Sequence, residues 1–218
     1  MDYDSVVKLL IALLLVLLNG FFVAAEFSIV KVRYSQIQIK AAEGNKMAKQ
    51  AEHIIKHLDA YLSATQLGIT LASLALGWVG ESALEHVFHG IFSYFNINIA
   101  PTMITTISVV VSFLIITVMH IVFGELVPKS IAIRKSEATT LFISAPLRLF
   151  YNIFKPFIWL MNLFSNAFLK SIGIHPASEH EIHSTEELQL LVKQSADSGE
   201  IEEENYEIIK NAFDFTDH

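Results

Sequence analysis

The sequence predicts an all-α membrane protein with three transmembrane helices, cytoplasmic juxtamembrane or interfacial helices, and a short acidic helical tail. Three observations predict it. Of 218 residues, 53% are hydrophobic and only 17% are charged, against about 25% charged in soluble domains. Three stretches are long and apolar enough to cross about 30 Å of hydrocarbon, which takes roughly 20 residues. The charge is also segregated: residues 179–218 hold 12 acidic and 2 basic side chains (net −10), and residues 1–178 hold 13 basic and 10 acidic (net +3). A weakly basic membrane domain (1–178) and an acidic, water-facing segment (179–218) therefore share the chain, and nothing in that balance fits a nucleic-acid binder. The absence of cysteine excludes disulfides, iron–sulfur clusters and thiolate metal sites.

The first span is residues 9–30. Lys8, the apolar run and Val23-Ala24-Ala25 also fit a cleavable signal peptide, but the run continues through Phe27, Ile29 and Val30 into a basic cluster, as a retained span does. The second span, 58–79, is richer in small and polar residues. The third is 101–123. Lys31, Arg33, Lys40, Lys46, Lys49 and Lys56 lie between the first two spans, residues 80–100 have no Lys or Arg, and Lys129, Arg134 and Lys135 follow the third. The positive-inside rule then predicts a multi-pass protein of the plasma or inner membrane with its N-terminus outside and its C-terminus cytoplasmic.

A fourth apolar stretch, within 139–174, is predicted not to cross. Pro146 and Pro156 divide it into short pieces, Arg148 and Lys155 share a face, and aromatic residues dominate the rest, a pattern expected of helices lying in the membrane interface. In the tail, Ser184 and Glu187 form a capping box for a helix reaching about residue 195, and 201–215 reads as a second helix. His175, His180 and His183 are too loosely spaced for a metal cluster and read as solvated surface. The abrupt end at "FDFTDH" suggests that a domain follows.

The chemistry concentrates where the third span ends, in "HIVFGELVPKSIAIRK" (120–135). Pro128 has no N–H, so the α-helical register leaves the Gly124 carbonyl without its partner. At membrane depth such a carbonyl needs protein, water or an ion. Glu125 puts a carboxylate beside it, and Gly124 has no side chain to block approach. A hard, oxygen-only cation site is the sharper reading. The simpler one is a kink ending the helix, with Glu125 facing water or pairing with Lys129.

In the second span, Ala64, Gly68 and Ala72 form a small-residue packing face, and Gln66, Thr70, Ser73 and Gly77 fall on the other face, where they line a polar cavity or bond their own helix. In the first span, Asn19 and Glu26 are seven residues apart on one face. An intramembrane carboxylate such as Glu26 is a site candidate, with pairing to Lys31 or Arg33 as the alternative. His120 reads as a packing residue.

The motifs "LNGFFVAAEFSIVKVR", "ATQLGITLASLALGWVGE" and "GELVPKSIAI", in this order on the three spans, closely resemble the transmembrane domain of the CNNM/CorC family, also called hemolysin-like, over about residues 5–175. The resemblance implies a homodimeric Mg²⁺ transporter, commonly described as a Na⁺-coupled exporter, that binds a largely dehydrated Mg²⁺ between the three spans. It implies Glu125 as the carboxylate ligand, with small polar residues of the first two spans. This chain has Val23, Ala25 and Ile69 where other members carry polar residues, which leaves Thr70, Ser73 and backbone carbonyls as the implied ligands. The acidic helices resemble the linker to the family's nucleotide-sensing CBS domains, so ATP enters only through domains beyond this chain. A membrane-anchored dimeric sensor or adaptor without transport is the alternative. No HExxH, Ser/His or paired-Asp constellation points to an enzyme.

Overall fold

The computed structural model of the chain describes residues 3–94, 101–173, 185–197 and 202–214, and all its regular elements are helices. In order they are α1 (Tyr3–Lys31), α2 (Tyr34–Ala42), α3 (Lys46–Lys56), α4 (Leu58–Tyr94), α5 (Pro101–Met119), a π-helical segment (His120–Leu126), α6 (Val127–Arg134), α7 (Ser136–Ser171), α8 (Thr185–Asp197) and α9 (Glu203–Asp214). Three stretches are long and apolar enough to cross a membrane: Val6–Lys31, Leu58–Val79 and Thr102–Arg134. The chain is an all-α membrane protein.

α1 is apolar all round but divides lengthwise. Leu10, Leu13, Leu14 and Leu17 are exposed, whereas Val16, Asn19, Phe22, Val23, Ala25 and Ile29 are buried. An apolar side chain gains nothing by leaving lipid for protein, so small residues and close packing decide which stretch of the span is covered. Val23 and Ala25 lie buried in mid-helix, which fits a packed span.

Between the first two spans, α2 and α3 form a compact hairpin. Gly44 turns it at φ +93°, in the left-handed region. Asn45 caps α3, its Oδ1 accepting from the Met47 and Ala48 N–H groups at 2.9 and 3.2 Å. Ala48, Ala51 and Ile54 are buried along one stripe of α3. Ala51 meets Val32 and Ile37, and Ile54 joins the main core of Phe22, Ala25, Ile29, Tyr61, Ile143 and Leu147. Lys40 pairs with Glu137 at the start of α7.

Two expectations from the sequence are corrected. The third span does not end near residue 123, because the apolar helix continues through a π-helical turn to Arg134. The stretch after it is one continuous helix, α7, running through Pro146 and Pro156. Both prolines are exposed, as are Phe142 and Asn152, whose carbonyls lose their i+4 donors. The missing bonds thus fall on the outer side of the helix, away from its packed face. The opposite face carries Thr140, Ile143, Ser144, Leu147 and Ile158. Phe150 packs on Phe22 (ring centroids 4.7 Å) and Tyr151 on Tyr61 (4.6 Å).

The chain divides into two compact units, Met1–Phe168 and Leu169–His218. In the second, α8 and α9 pack on each other, and Leu190, Val192, Tyr206, Ile209 and Phe213 line a cleft there. Ser184 and the three tail histidines lie outside the described residues.

The small-residue face of α4 behaves as its spacing predicts, with Ala64 and Ala72 buried and a Cβ on Gly68 landing 2.5 Å from three ring carbons of Phe22. Phe22 also packs edge-on against Phe150, which limits its room to retreat. Gly68→Ala is therefore expected to cost about 1–3 kcal/mol, read as a lower melting temperature in detergent, with Phe22→Leu in the same chain restoring part of it.

A pH effect follows from α3. Partial burial, then the nearby His57, Arg148 and Lys56, push the His53 imidazole below its ordinary 6.5. The unfolded chain therefore takes up this proton first. The stabilisation is complete above about pH 6.5 and is lost as pH falls below it. Glu52, held low chiefly by its hydrogen bond from Lys56, titrates below 4.5 and stays outside that window. Melting temperatures measured between about pH 7.5 and pH 5 should fall with acidity, and His53→Gln should flatten the slope.

Candidate functional site

The three spans meet at one polar point. Asn19, on α1, is buried and its Nδ2 donates to the Gly124 carbonyl at 2.9 Å. Ser73, on α4, donates its Oγ to Asn19 Oδ1 at 3.1 Å. His120, at the start of the π-helical segment, brings Nε2 within 3.5 Å of Ser73 Oγ. One amide side chain thus ties a hydroxyl of the second span to a backbone carbonyl of the third.

The local backbone explains why this point exists. Pro128 can supply no N–H to the preceding turn, and the helix answers by widening: the Val127 N–H reaches back five residues to the Val122 carbonyl. Close approach then requires glycine on both helices. A Cβ on Gly20 would lie 2.9 Å from Pro128 Cγ and 3.0 Å from the Phe123 carbonyl oxygen. A Cβ on Gly124 would meet the His120 ring at 2.7 Å and Asn19 Nδ2 at 3.3 Å. The two glycines let α1 lie directly on the irregular turn, where Asn19 can reach its carbonyl.

The residues singled out by sequence divide into those brought together and those kept apart. Asn19, Ser73 and Gly124 converge, and Pro128 sets the turn. Gln66 and Thr70 are exposed, and the Thr70 hydroxyl is spent on the Gln66 carbonyl at 2.8 Å. The polar row of α4 therefore does not line one cavity: Ser73 faces inward and the other two face out. Glu125 is exposed and forms no ion pair among the described residues. Lys129 turns to α1, its Nζ 4.4 Å from the Phe27 ring centroid, and its charge acts on the half-buried Glu26. Neither the Glu125–Lys129 pair nor a Glu26 pair with Lys31 or Arg33 is formed.

Sequence reasoning reads His120 as a packing residue, and the structure brings its Nε2 to Ser73. The available signal was its position one turn before Gly124 on the same ridge. Among the described residues no three His, Asp or Glu side chains cluster. The inward-facing groups are an amide oxygen, a hydroxyl, a backbone carbonyl and an imidazole nitrogen.

Truncating Asn19 removes the side-chain donor to the Gly124 carbonyl and leaves the Ser73 hydroxyl only His120 Nε2, at 3.5 Å. Asn19→Ala is expected to destabilise by about 1–3 kcal/mol, seen as a lower melting temperature. Asn19→Asp keeps the acceptor for Ser73 and loses the donor to Gly124, so it should also melt below the parent; equal melting temperatures would show that the Gly124 bond carries no weight.

Comparison with known proteins agrees with this architecture. The family model described as "Cyclin M transmembrane N-terminal domain" matches residues 10–205. The chain is 44% identical to the "UPF0053 protein YrkA" of Bacillus subtilis (strain 168), over 97% of its own length and 48% of the relative's. It is 42% identical to the "UPF0053 protein YhdP" of the same organism, over 98% and 48%. The "Uncharacterized protein Rv1841c" of Mycobacterium tuberculosis (strain ATCC 25618 / H37Rv) is 32% identical over 93% and 57%. The chain spans about half the length of the curated relatives it matches. With its three apolar helices and the glycine-lined junction between them, it belongs to the CNNM family of membrane proteins.

Proposed function

We propose that this chain is the membrane domain of a divalent-cation transporter that carries Mg²⁺ out of the cell in exchange for Na⁺. In this reading it works as a homodimer with its N-terminus outside. The α2–α3 hairpin and the tail lie in the cytosol, and α7 lies along the cytoplasmic leaflet. The observation that carries the reading is the convergence of a polar group from each of three spans, Asn19, Ser73 and the Gly124 carbonyl, at a π-helical turn. Buried polar groups in a membrane are costly and mark ion pathways, and π-helical turns recur at functional sites.

The donors suit the substrate. Mg²⁺ prefers hard oxygen ligands and gives up its waters reluctantly. Asn19 Oδ1, Ser73 Oγ and the Gly124 carbonyl offer three replacements for water. The Gly124 carbonyl keeps a second lone pair beside the one that accepts from Asn19 Nδ2, and a turn of the amide would free both for the cation. Glu125, next in sequence, faces away in this arrangement. Moving the π-helical turn along the helix rotates the residues it passes by about 100°, enough to bring the carboxylate inward. Alternation between a turn that presents Glu125 and one that presents Asn19 would load and release the ion. Glu26 and Lys129 lie next to that turn and respond to the same rotation. Any role of Thr70 and Gln66 as ligands requires α4 itself to turn.

One observation favours the second reading, a dimeric membrane anchor for cytosolic CBS domains. Asn19 already satisfies Ser73 and Gly124, as a purely structural polar link between helices would. Ion flux separates the two. In proteoliposomes the chain should move Mg²⁺ down a gradient, and an anchor should move none. Glu125→Gln and Ser73→Ala should each lower flux by roughly tenfold or more. Glu125→Gln should also remove the thermal protection given by Mg²⁺ while leaving the dimer intact. Unchanged Mg²⁺ protection in Glu125→Gln would overturn its role as ligand.

A further inference from the structure

The third span carries a second feature on its outer side. An open groove of about 560 Å³ runs along it from Val122 to Lys135. Val122, Leu126, Val127 and Ile131 make it apolar, and the last three are exposed. Toward its far end stand the Ser130 hydroxyl and then Arg134 and Lys135. Both cations are exposed, and neither forms an ion pair among the described residues. The carboxylate nearest in sequence, Glu137, is taken by Lys40. A groove that is apolar along its length and cationic at one end matches the polarity of an anionic phospholipid.

The depth fits as well. Lys135 stands at the elbow between α6 and α7, where the backbone leaves the helical region at φ −128° and ψ 47°. α6 closes an apolar stretch long enough to cross the membrane, and α7 exposes Phe142, Leu149, Ile153, Phe157 and Trp159. An elbow between a crossing helix and an interfacial one lies at headgroup level. α1 brings further charge to that level. It runs beside the third span in the same direction, with Asn19 meeting Gly124, Gly20 meeting Pro128 and Phe27 meeting Lys129. At 1.5 Å per residue, Lys31 lies about 18 Å beyond Asn19 and Arg134 about 15 Å beyond Gly124. Lys31 and Arg33, both exposed, therefore stand level with Arg134 and Lys135. Basic clusters at the end of a membrane helix hold anionic lipids. A second copy of the chain is a poorer occupant. Applied to itself about a two-fold axis, the groove would bring Arg134 and Lys135 toward their own counterparts.

We propose that this groove is a docking site for an anionic phospholipid. An acyl chain lies along Val122, Leu126, Val127 and Ile131, and Arg134, Lys135 and the Ser130 hydroxyl hold the headgroup phosphate. Val122 and Val127 are also the two ends of the π-helical hydrogen bond. A docked chain thus braces the widened turn from outside. The site does not rest on the transport reading, because a membrane anchor would bind the lipid equally well.

The chain has no cysteine, so Ile131→Cys offers a unique place for a fluorophore in the groove. Phe142→Cys, exposed on α7, offers one outside it. The full chain is placed in phosphatidylcholine vesicles with a trace of nitroxide-bearing lipid. Phosphatidylglycerol with the nitroxide near the head of one acyl chain should quench the Ile131 label roughly fivefold more effectively than phosphatidylcholine so labelled. The Phe142 label should show no such preference. Arg134→Gln combined with Lys135→Gln should abolish the preference at Ile131, as should about 1 M salt on the chain with both cations intact.

Equal quenching of the Ile131 label by the two lipids would overturn the site. So would the same preference at both positions, because any basic protein gathers anionic lipid around itself. Weak quenching by both lipids, with disulfide-linked dimers of unlabelled Ile131→Cys, would give the groove to a second copy and overturn the lipid. A preference that survives the loss of both cations would overturn the headgroup assignment.

Discussion

The fold is organised around a hydrogen bond that Pro128 cannot make. A proline inside a membrane helix removes a donor from the preceding turn, and lipid offers no replacement. The third span responds with a π-helical turn from His120 to Leu126, and the first span responds with Asn19, whose amide reaches the Gly124 carbonyl at 2.9 Å. For that amide to arrive, Gly20 must sit against Pro128 and Gly124 must sit against His120. Ser73 then completes Asn19 from the second span. A single missing N–H thus sets the approach of all three spans.

The second organising constraint lies one turn along α1, where Gly68 admits the Phe22 ring and Phe150 of α7 packs against it. α7 bridges the spans and the α2–α3 hairpin: Leu147 and Ile143 share the core with Ile54 and Tyr61, and Glu137 pairs with Lys40. A displacement of α7 is therefore felt both at the spans and at the hairpin. The α8–α9 pair forms a unit of its own.

Apart from hydroxyls bonded within their own helix, such as Thr70 and Thr106, the polar groups of the spans form two classes. Those at the junction are paired with one another, and those higher on α5, Ser108 and Ser112, are paired with nothing. In a membrane the first class can be explained by packing alone, because polar side chains tie helices together. The second gains nothing from packing, because an unsatisfied hydroxyl weakens a dry interface.

Much of this was legible in the sequence. Hydropathy identified three spans, since crossing hydrocarbon demands an unbroken apolar run. Spacing identified the packing face of Ala64, Gly68 and Ala72, since a helix repeats every 3.6 residues whatever surrounds it. The covalent chemistry of proline marked Gly124 before any coordinates did. Tertiary structure decided what those local rules leave open. Whether Pro128 ends the helix or widens it depends on the support α1 gives to the irregular turn. Whether Gln66, Thr70 and Ser73 act together depends on how α4 is rotated against α1, and that rotation turned Ser73 in and the other two out. Whether Pro146 and Pro156 break α7 depends on which side of the helix loses its bonds; exposed, they leave it whole. The partner of Gly124 lies 105 residues away, on Asn19. Periodicity reports the faces of one helix, and only packing selects which faces meet.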